Sequence, residues 1–488
     1  MEYILRDHCI FDFILQLLPL STVSLNNYAP SDIHVFQEYQ SNIIYKDIFS
    51  YADLILVPVA LIVILLFLSF KRTQQPASLQ PYYFKGYGVK LLGLFGFIIF
   101  HKYLYGGTPD SFSYYWAGDN LVRLFSTNPK EALQLMFSPL GMFSPEDYPM
   151  ELSPFIFASN EALVCKISGF LHLISGGSYI VISLLLGLFS FLGSWQMVKV
   201  MSRLFPSEEK LIAWCCLFIP SLFFWCSAIS KEAICIGALG YLMNASIGLM
   251  VFQERIVRNV LLILVMSYFI WFTKSYIVLA FFPSLLLLTL ILNINKIKTR
   301  LLRFTILPII LIAVLYPAIN FYLNSGDLIS RFSSDAILEY AKTSYLYLSS
   351  NIAESAYNLG NFEPTIGGVL MKAPAAINVA LYRPYFWEAN KPIVLFACLE
   401  STLFLMVTLY VFFKRGLIGF FKAIYKNPIV LFCLLFAIIF SFAVGLTSGN
   451  FGTLMRYKIP MMPFYAMALG LIYKRVPFKA ENLKKEVN

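Results

Sequence analysis

The residues in this 488-residue chain best placed to move a proton are acids set beside hydroxyl-bearing and basic side chains. Asp110 lies in GGTPDSFSYYWAGD, residues 106–119, with Tyr114 four positions on. That spacing puts both side chains on one face of a helix. Asp110 reads in two ways. It is the acid of a helix start, with Thr108 as the cap, Pro109 in the first position and a negative charge suited to the dipole. It is also a candidate general base for a hydroxyl group. The readings are compatible, because a helix N-terminus favours the ionised carboxylate that a base requires.

Three further stretches carry chemistry-bearing side chains. IPSLFFWCSAISKEAICIGALGYLM, residues 219–243, contains Lys231 and Glu232 at a tight turn between two apolar runs. Adjacent residues do not face each other on a helix, so each of these charges is expected to have its own remote partner. LYRPYFWEANKP, residues 381–392, sets Arg383, Trp387 and Glu388 just before an apolar run. There Arg383 reads as a snorkelling base in an aromatic belt, or as a fork that holds a lipid phosphate. GNFGTLMRYKIPMMPFYAMALG, residues 449–470, adds Arg456 and Lys458. With Lys274 of WFTKSY these could line a basic pocket for an anionic head group.

The elements that must position these residues are membrane helices. The chain is 59% hydrophobic and 13% charged, against about 25% charged residues in a soluble domain. Its apolar runs are continuous, which suits helices and not the alternating strands of a barrel. The fold class is therefore all-α, a polytopic helical bundle. The net charge of +10 is accounted for by basic loops on one membrane side, so no nucleic-acid partner is expected. Eight cysteines form no CxxC, and most fall within apolar runs; the four histidines have no ligand spacing. No residues are assigned as metal ligands, while a carboxylate-bound divalent cation stays compatible with the sequence. No cleavable signal peptide is evident, since Asp12 interrupts the apolar residues 10–25 and no basic segment precedes them.

Apolar runs near 53–70, 88–105, 178–198, 211–228, 232–252, 259–273, 276–293, 304–323, 394–413, 428–447 and 457–473 predict about eleven spans, or twelve if residues 10–25 cross. Residues 1–52 form an N-terminal segment, 53–473 the membrane domain, and 474–488 a basic tail. Bases cluster in alternate loops, at Lys71–Arg72, Lys199–Arg203, Arg255–Arg258, Lys296–Arg303 and Lys414–Lys426. Those loops are assigned to the cytoplasm, provided that residues 161–175 lie at the interface without crossing. The outer side then holds two long loops, 106–177 and 324–393, of a length that usually signals function. Phe112, Tyr115, Trp116 and Phe125 are expected to form an apolar stripe on the membrane surface. Arg456 and Lys458 fall on the outer side, against the charge trend. Asp110, Lys231, Lys274, Arg383 and Arg456 are expected to line one outer-face cavity.

The Asp in the first outer loop followed by SYYWAG resembles the acidic motif of the C-type superfamily of integral-membrane glycosyltransferases. The stretches PSLFFWCSAISKE and RYKIPMMPF are similar to sequences of bacterial membrane proteins of that kind, and RPYFWEAN resembles a segment of polysaccharide-pathway membrane proteins. The resemblance covers roughly residues 88–473. The family motif often sits after the first span, whereas here one or two apolar segments, 53–70 and also 10–25 if it crosses, come before the span 88–105 that leads into it. The resemblance implies a polyprenyl-phosphate-linked sugar donor, a glycan or lipid acceptor, membrane lipids as partners, and an active face outside the bacterial inner membrane. It implies Asp110 as the catalytic base or a metal ligand. Beside it, Glu232 is a candidate catalytic residue that orients the donor or positions Asp110, and Tyr114, Lys231, Lys274, Arg383, Glu388 and Arg456 are candidate substrate-binding residues. An O-antigen-type polymerase or ligase is the alternative, in which Arg331 and Arg383 handle a lipid-linked glycan. A transporter or flippase is the alternative of another class, for which Glu400, inside an apolar run, is the main candidate.

Overall fold

The computed structural model describes residues 48–104, 109–138, 143, 152–157, 161–293, 356–360, 366–389 and 392–478. The apolar segments 10–25 and 304–323, Thr108 and Arg331 lie outside the described residues. In chain order the helices are α1 (Asp53–Thr73), α2 (Gln80–Ile99), α3 (Asp110–Thr127), α4 (Pro129–Phe137), α5 (Ala162–Ser175), α6 (Tyr179–Leu204), α7 (Glu209–Leu217) and α8 (Pro220–Trp225). They continue as α9 (Lys231–Ile247), α10 (Ile256–Asn293), α11 (Ile366–Met371), α12 (Ala373–Tyr382), α13 (Pro392–Lys426), α14 (Pro428–Thr447), α15 (Phe451–Tyr457) and α16 (Met462–Lys474). Among the described residues seven helices are long and apolar enough to cross a membrane: Asp53–Thr73, Gln80–Leu104, Tyr179–Leu204, Lys231–Phe252, Ile256–Asn293, Val394–Lys426 and Pro428–Thr447. The protein is a multi-pass all-α membrane protein.

Several predicted spans take a different form. Residues 211–228 do not make one helix. The chain breaks between α7 and α8, because Pro220 has no amide to donate and disfavours helical geometry in the residue before it. The runs 259–273 and 276–293 are one element, α10, interrupted at Lys274, whose φ of −149° and ψ of 79° are not helical. The run 457–473 is divided by Pro460 and Pro463 into a 3-10 turn, Ile459–Met461, and the 13-residue α16. At 1.5 Å per residue such a helix reaches about 20 Å, short of the roughly 30 Å hydrocarbon layer. The 14-residue α5 is likewise too short to cross, as expected for residues 161–175.

The chain divides into two compact units. The first comprises Met1–Trp195, Leu222–Gly240 and Val265–Ser275. In it Tyr83 of α2 meets Phe191 and Trp195 of α6 edge-on, with ring centroids 5.2 and 4.6 Å apart. Lipid is as apolar as these rings, so such contacts stabilise through packing geometry, about 0.5–1.5 kcal/mol for each aromatic pair. Helix α3 lies directly on α5. A Cβ on Gly118 would come within 2.6 Å of Ser168 Oγ and 2.8 Å of the Gly169 nitrogen, so only glycine permits this approach. The Tyr115 ring stacks on His172 at 4.7 Å, and its hydroxyl donates to the Gly177 carbonyl at 2.7 Å. This corrects the expected surface stripe: Tyr115 and Trp116 are buried, and only Phe125 of the four is exposed. Packing against α5 takes up the face that composition alone would assign to lipid.

The second unit comprises Gln196–Ser221, Tyr241–Leu264 and Tyr276–Asn488. Here α14 packs on α12 and α16, and α16 also packs on α7 and α13. Asparagines start two of its helices. The Asn427 side chain accepts from the amides of Ile429 and Val430 at 3.1 and 3.3 Å, with Pro428 in the first position. Asn450 accepts from Thr453 at 2.8 Å. Both are ordinary N-caps.

Candidate functional site

In the first unit Asp110 is the first residue of α3 and is half-buried. Pro109, expected inside the helix, is instead the residue before it, with extended geometry (φ −73°, ψ 146°). The dipole argument is unaffected, because Asp110 stays in the first turn. One turn on, Tyr114 is 3% exposed. Asp110, Glu161 and Lys231 all act electrostatically on its phenol. Burial raises the Tyr114 pKa well above the usual 10.0; Lys231 opposes that rise, and Asp110 and Glu161 add to it. Tyr114 is thus a neutral phenol at physiological pH, able to donate a hydrogen bond and unsuited to act as a base.

Lys231 and Glu232 reach this unit by a chain of local causes. After α8 the backbone from Cys226 to Ser230 is irregular yet buried, a condition tolerated at membrane depth only where other groups satisfy the freed carbonyls. Lys90 of α2 does so. Its Nζ donates to the carbonyls of Leu222 and Cys226 at 2.9 and 3.3 Å and to Ser190 Oγ at 2.9 Å. Ser230 Oγ donates to the Trp225 carbonyl at 3.0 Å and accepts from the Ala233 amide at 3.1 Å, capping α9. The first two residues of α9 are then Lys231 and Glu232.

Their charges point to different partners. Lys231 donates to Glu161, immediately before α5. Glu232 accepts from Lys274 at 2.8 Å, and the two side chains are 6% and 4% exposed. Lys274 stands where α10 loses helical geometry. Thr273 beside it lies 3.1 Å from Cys235 Sγ, one turn further along α9. The adjacent charges of the KE pair therefore tie α9 to two different segments. Removing either member of the buried Glu232–Lys274 pair would strand the other, at about 3–5 kcal/mol.

The second unit holds the other predicted site residues. Arg383 Nε donates to both Glu388 oxygens at 3.0 and 3.1 Å, its terminal nitrogen donates to the same carboxylate, and the Tyr385 amide donates to Glu388 Oε2 at 2.8 Å. The guanidinium also lies 5.4 Å from the Phe451 ring centre and 5.8 Å from that of Tyr357. Arg456 is half-buried in the last turn of α15. Lys458, expected to be open to a head group, is instead 1% exposed. Its ammonium donates to Ser401 Oγ at 2.7 Å and to the Arg383 carbonyl at 3.3 Å. Glu400, the candidate for a transport path, is buried and accepts from both the amide and the hydroxyl of Ser221 at the start of α8. These bonds match a structural acid facing protein.

Asp110, Tyr114, Lys231, Glu232 and Lys274 thus belong to the first unit, and Arg383, Glu388 and Arg456 to the second. Lys231, Lys274 and Arg383 are each engaged by a carboxylate, so a phosphate clamp made from any of them must displace or share an acid. Glu161 and Lys90 were not singled out in the sequence. A lysine within an apolar run is a signal that would have found Lys90; Glu161 has none, as an acid in a long loop. Among the described residues no group of three or more His, Cys, Asp or Glu side chains gathers. Compared with known proteins, the chain matches no family model, no curated protein and no solved structure.

Proposed function

We propose that the protein is a membrane glycosyltransferase. It moves a sugar from a polyprenyl-phosphate donor to a glycan or lipid acceptor at the outer face of a bacterial inner membrane. The observation that carries this reading is the Lys231–Glu161 pair, which with Asp110 acts electrostatically on the buried Tyr114 phenol. Asp110 takes the proton of the acceptor hydroxyl as that oxygen bonds to the anomeric carbon. The bond from that carbon to the phosphate oxygen breaks, the lipid phosphate leaves with the electron pair, and the configuration inverts. Tyr114 orients the acceptor by hydrogen bonding. Lys231, held by Glu161, supplies positive charge toward the leaving phosphate. Glu232 acts as a positioning residue through Lys274, which sets the start of α9.

The test is Asp110→Asn in protein reconstituted with a panel of polyprenyl-phosphate hexoses and pentoses. Loss of a general base is expected to cut transfer by about 10²–10⁴-fold with the melting temperature retained. Full transfer by a folded variant would overturn the assignment. The same assay with a polyprenyl-pyrophosphate oligosaccharide separates transfer from polymerisation or ligation.

A further inference from the structure

Helix α13 loses helical geometry at Gly416, where φ is 65° and ψ is 164°. A Cβ at that position would meet nothing within 4 Å, so it is the left-handed backbone, not lack of room, that selects glycine. The part before Gly416 is long enough to cross the bilayer. The chain then runs on to Lys426, and Asn427 caps α14, the next span. Residues 417–426 therefore connect two spans at one membrane interface.

Their pattern is amphipathic. Leu417, Phe421 and Tyr425 recur every four residues with Ile418 beside them, and they are 60%, 59%, 89% and 82% exposed, respectively. Phe420, Ala423 and Ile424 on the other face are half-buried. Lys422 and Lys426, four apart, border the exposed apolar strip, and Lys414 is exposed just before the break. The end of α16 lies at the same place. Arg415 donates to the Ile472 carbonyl at 3.2 Å, and Asn427 donates to the Val476 carbonyl at 3.0 Å. Lys414, Arg415 and Lys474 all act on Tyr473. From Ser401 to Ala480 the sequence contains no Asp or Glu, so this stretch carries bases alone.

We propose that residues 417–426 lie flat in the membrane interface and, with Lys414 and Lys474, form a binding surface for anionic phospholipid head groups. The apolar strip enters the acyl boundary, and the lysines reach the phosphates above it. Charge complementarity selects the occupant, since a zwitterionic lipid surface offers these bases no net attraction.

The experiment compares the full chain with Lys422→Gln/Lys426→Gln in nanodiscs of mixed phosphatidylglycerol and phosphatidylcholine. Lipids retained after detergent extraction are counted by native mass spectrometry. At about fivefold per lysine near the surface, the double variant is expected to lose about twenty-five-fold of the preference for phosphatidylglycerol. Lys130→Gln, at an exposed lysine of α4, should leave it unchanged. An equal preference in the double variant overturns the proposal. Phe421→Trp gives a second reading: quenching by lipids brominated near the head group is expected. Quenching only by an aqueous reagent would place this face in water, away from the lipid, and would also overturn it.

Discussion

The ion pairs made by the predicted site residues differ in reach between the two units. In the second unit the Arg383–Glu388 pair joins residues 5 positions apart and closes a short turn. In the first, Lys231 reaches Glu161 across 70 residues, and Lys274 reaches Glu232 across 42. Both long-range pairs sit where a helix begins or loses its geometry: α9 starts at Lys231, and α10 breaks at Lys274. A local pair shapes its own loop. A pair between distant segments fixes where those segments meet, and so can place an acid such as Asp110 relative to a base such as Lys231. The difference concerns these site residues, since Arg203 of the second unit also reaches Glu254 across 51 residues; it argues for testing chemistry first at Asp110 and Lys231.

The sharpest way to break this contrast is to compare Asp110→Asn with Glu388→Gln in one transfer assay. The first is expected to lose about 10²–10⁴-fold in kcat. The second should change transfer little; a large rise in donor KM would instead bring the Arg383 cluster into the site. The next largest effect is on stability. Lys274→Met strands Glu232 and should cost about 3–5 kcal/mol, and adding Glu232→Leu should restore much of it. Thermal unfolding in detergent measures both; a single variant as stable as wild type would show that the pair does not hold α9.

Smaller still is the effect of Glu388→Gln on unfolding. It weakens hydrogen bonds to a charged group, worth about 1.5–3 kcal/mol. The smallest expected effect is a pH dependence at the contact of α3 with α5. Burial lowers the His172 pKa from 6.5, opposed by its bond to the Ser168 carbonyl and by Asp119. The unfolded chain therefore binds more protons than the folded one in the window from 6.5 down to the folded value. Stability falls as the pH drops through that window. Melting curves from pH 7 to 5 should show a loss that His172→Gln reduces; parallel curves would assign the acid sensitivity elsewhere.

Much of the architecture is legible in the sequence. Continuous apolar runs mark α1, α2, α6, α9 and α14, and Asn427–Pro428 announces the start of α14. Where the reading departs from the structure, a proline or a single residue is responsible. Pro220 divides 211–228, Pro460 and Pro463 shorten the last helix, and Lys274 marks an interruption inside one element. The buried face of α3 was hidden for another reason. Tyr115 and Trp116 look the same in sequence whether lipid or α5 covers them.

The same division runs through the candidate site. Composition alone determined that the chain crosses a membrane repeatedly, because so few charges cannot keep so much apolar surface in water. Residue order determined that Asp110 opens a helix, and that Lys231 and Glu232 need separate partners, because neighbouring side chains on a helix diverge. Only the tertiary structure decided that those partners are Glu161 and Lys274, that Lys90 holds the broken backbone before α9, and that Lys458 is buried. The reason is physical. Helix starts and hydropathy depend on residues within a few positions, whereas the partner of a charge depends on which distant segments pack together.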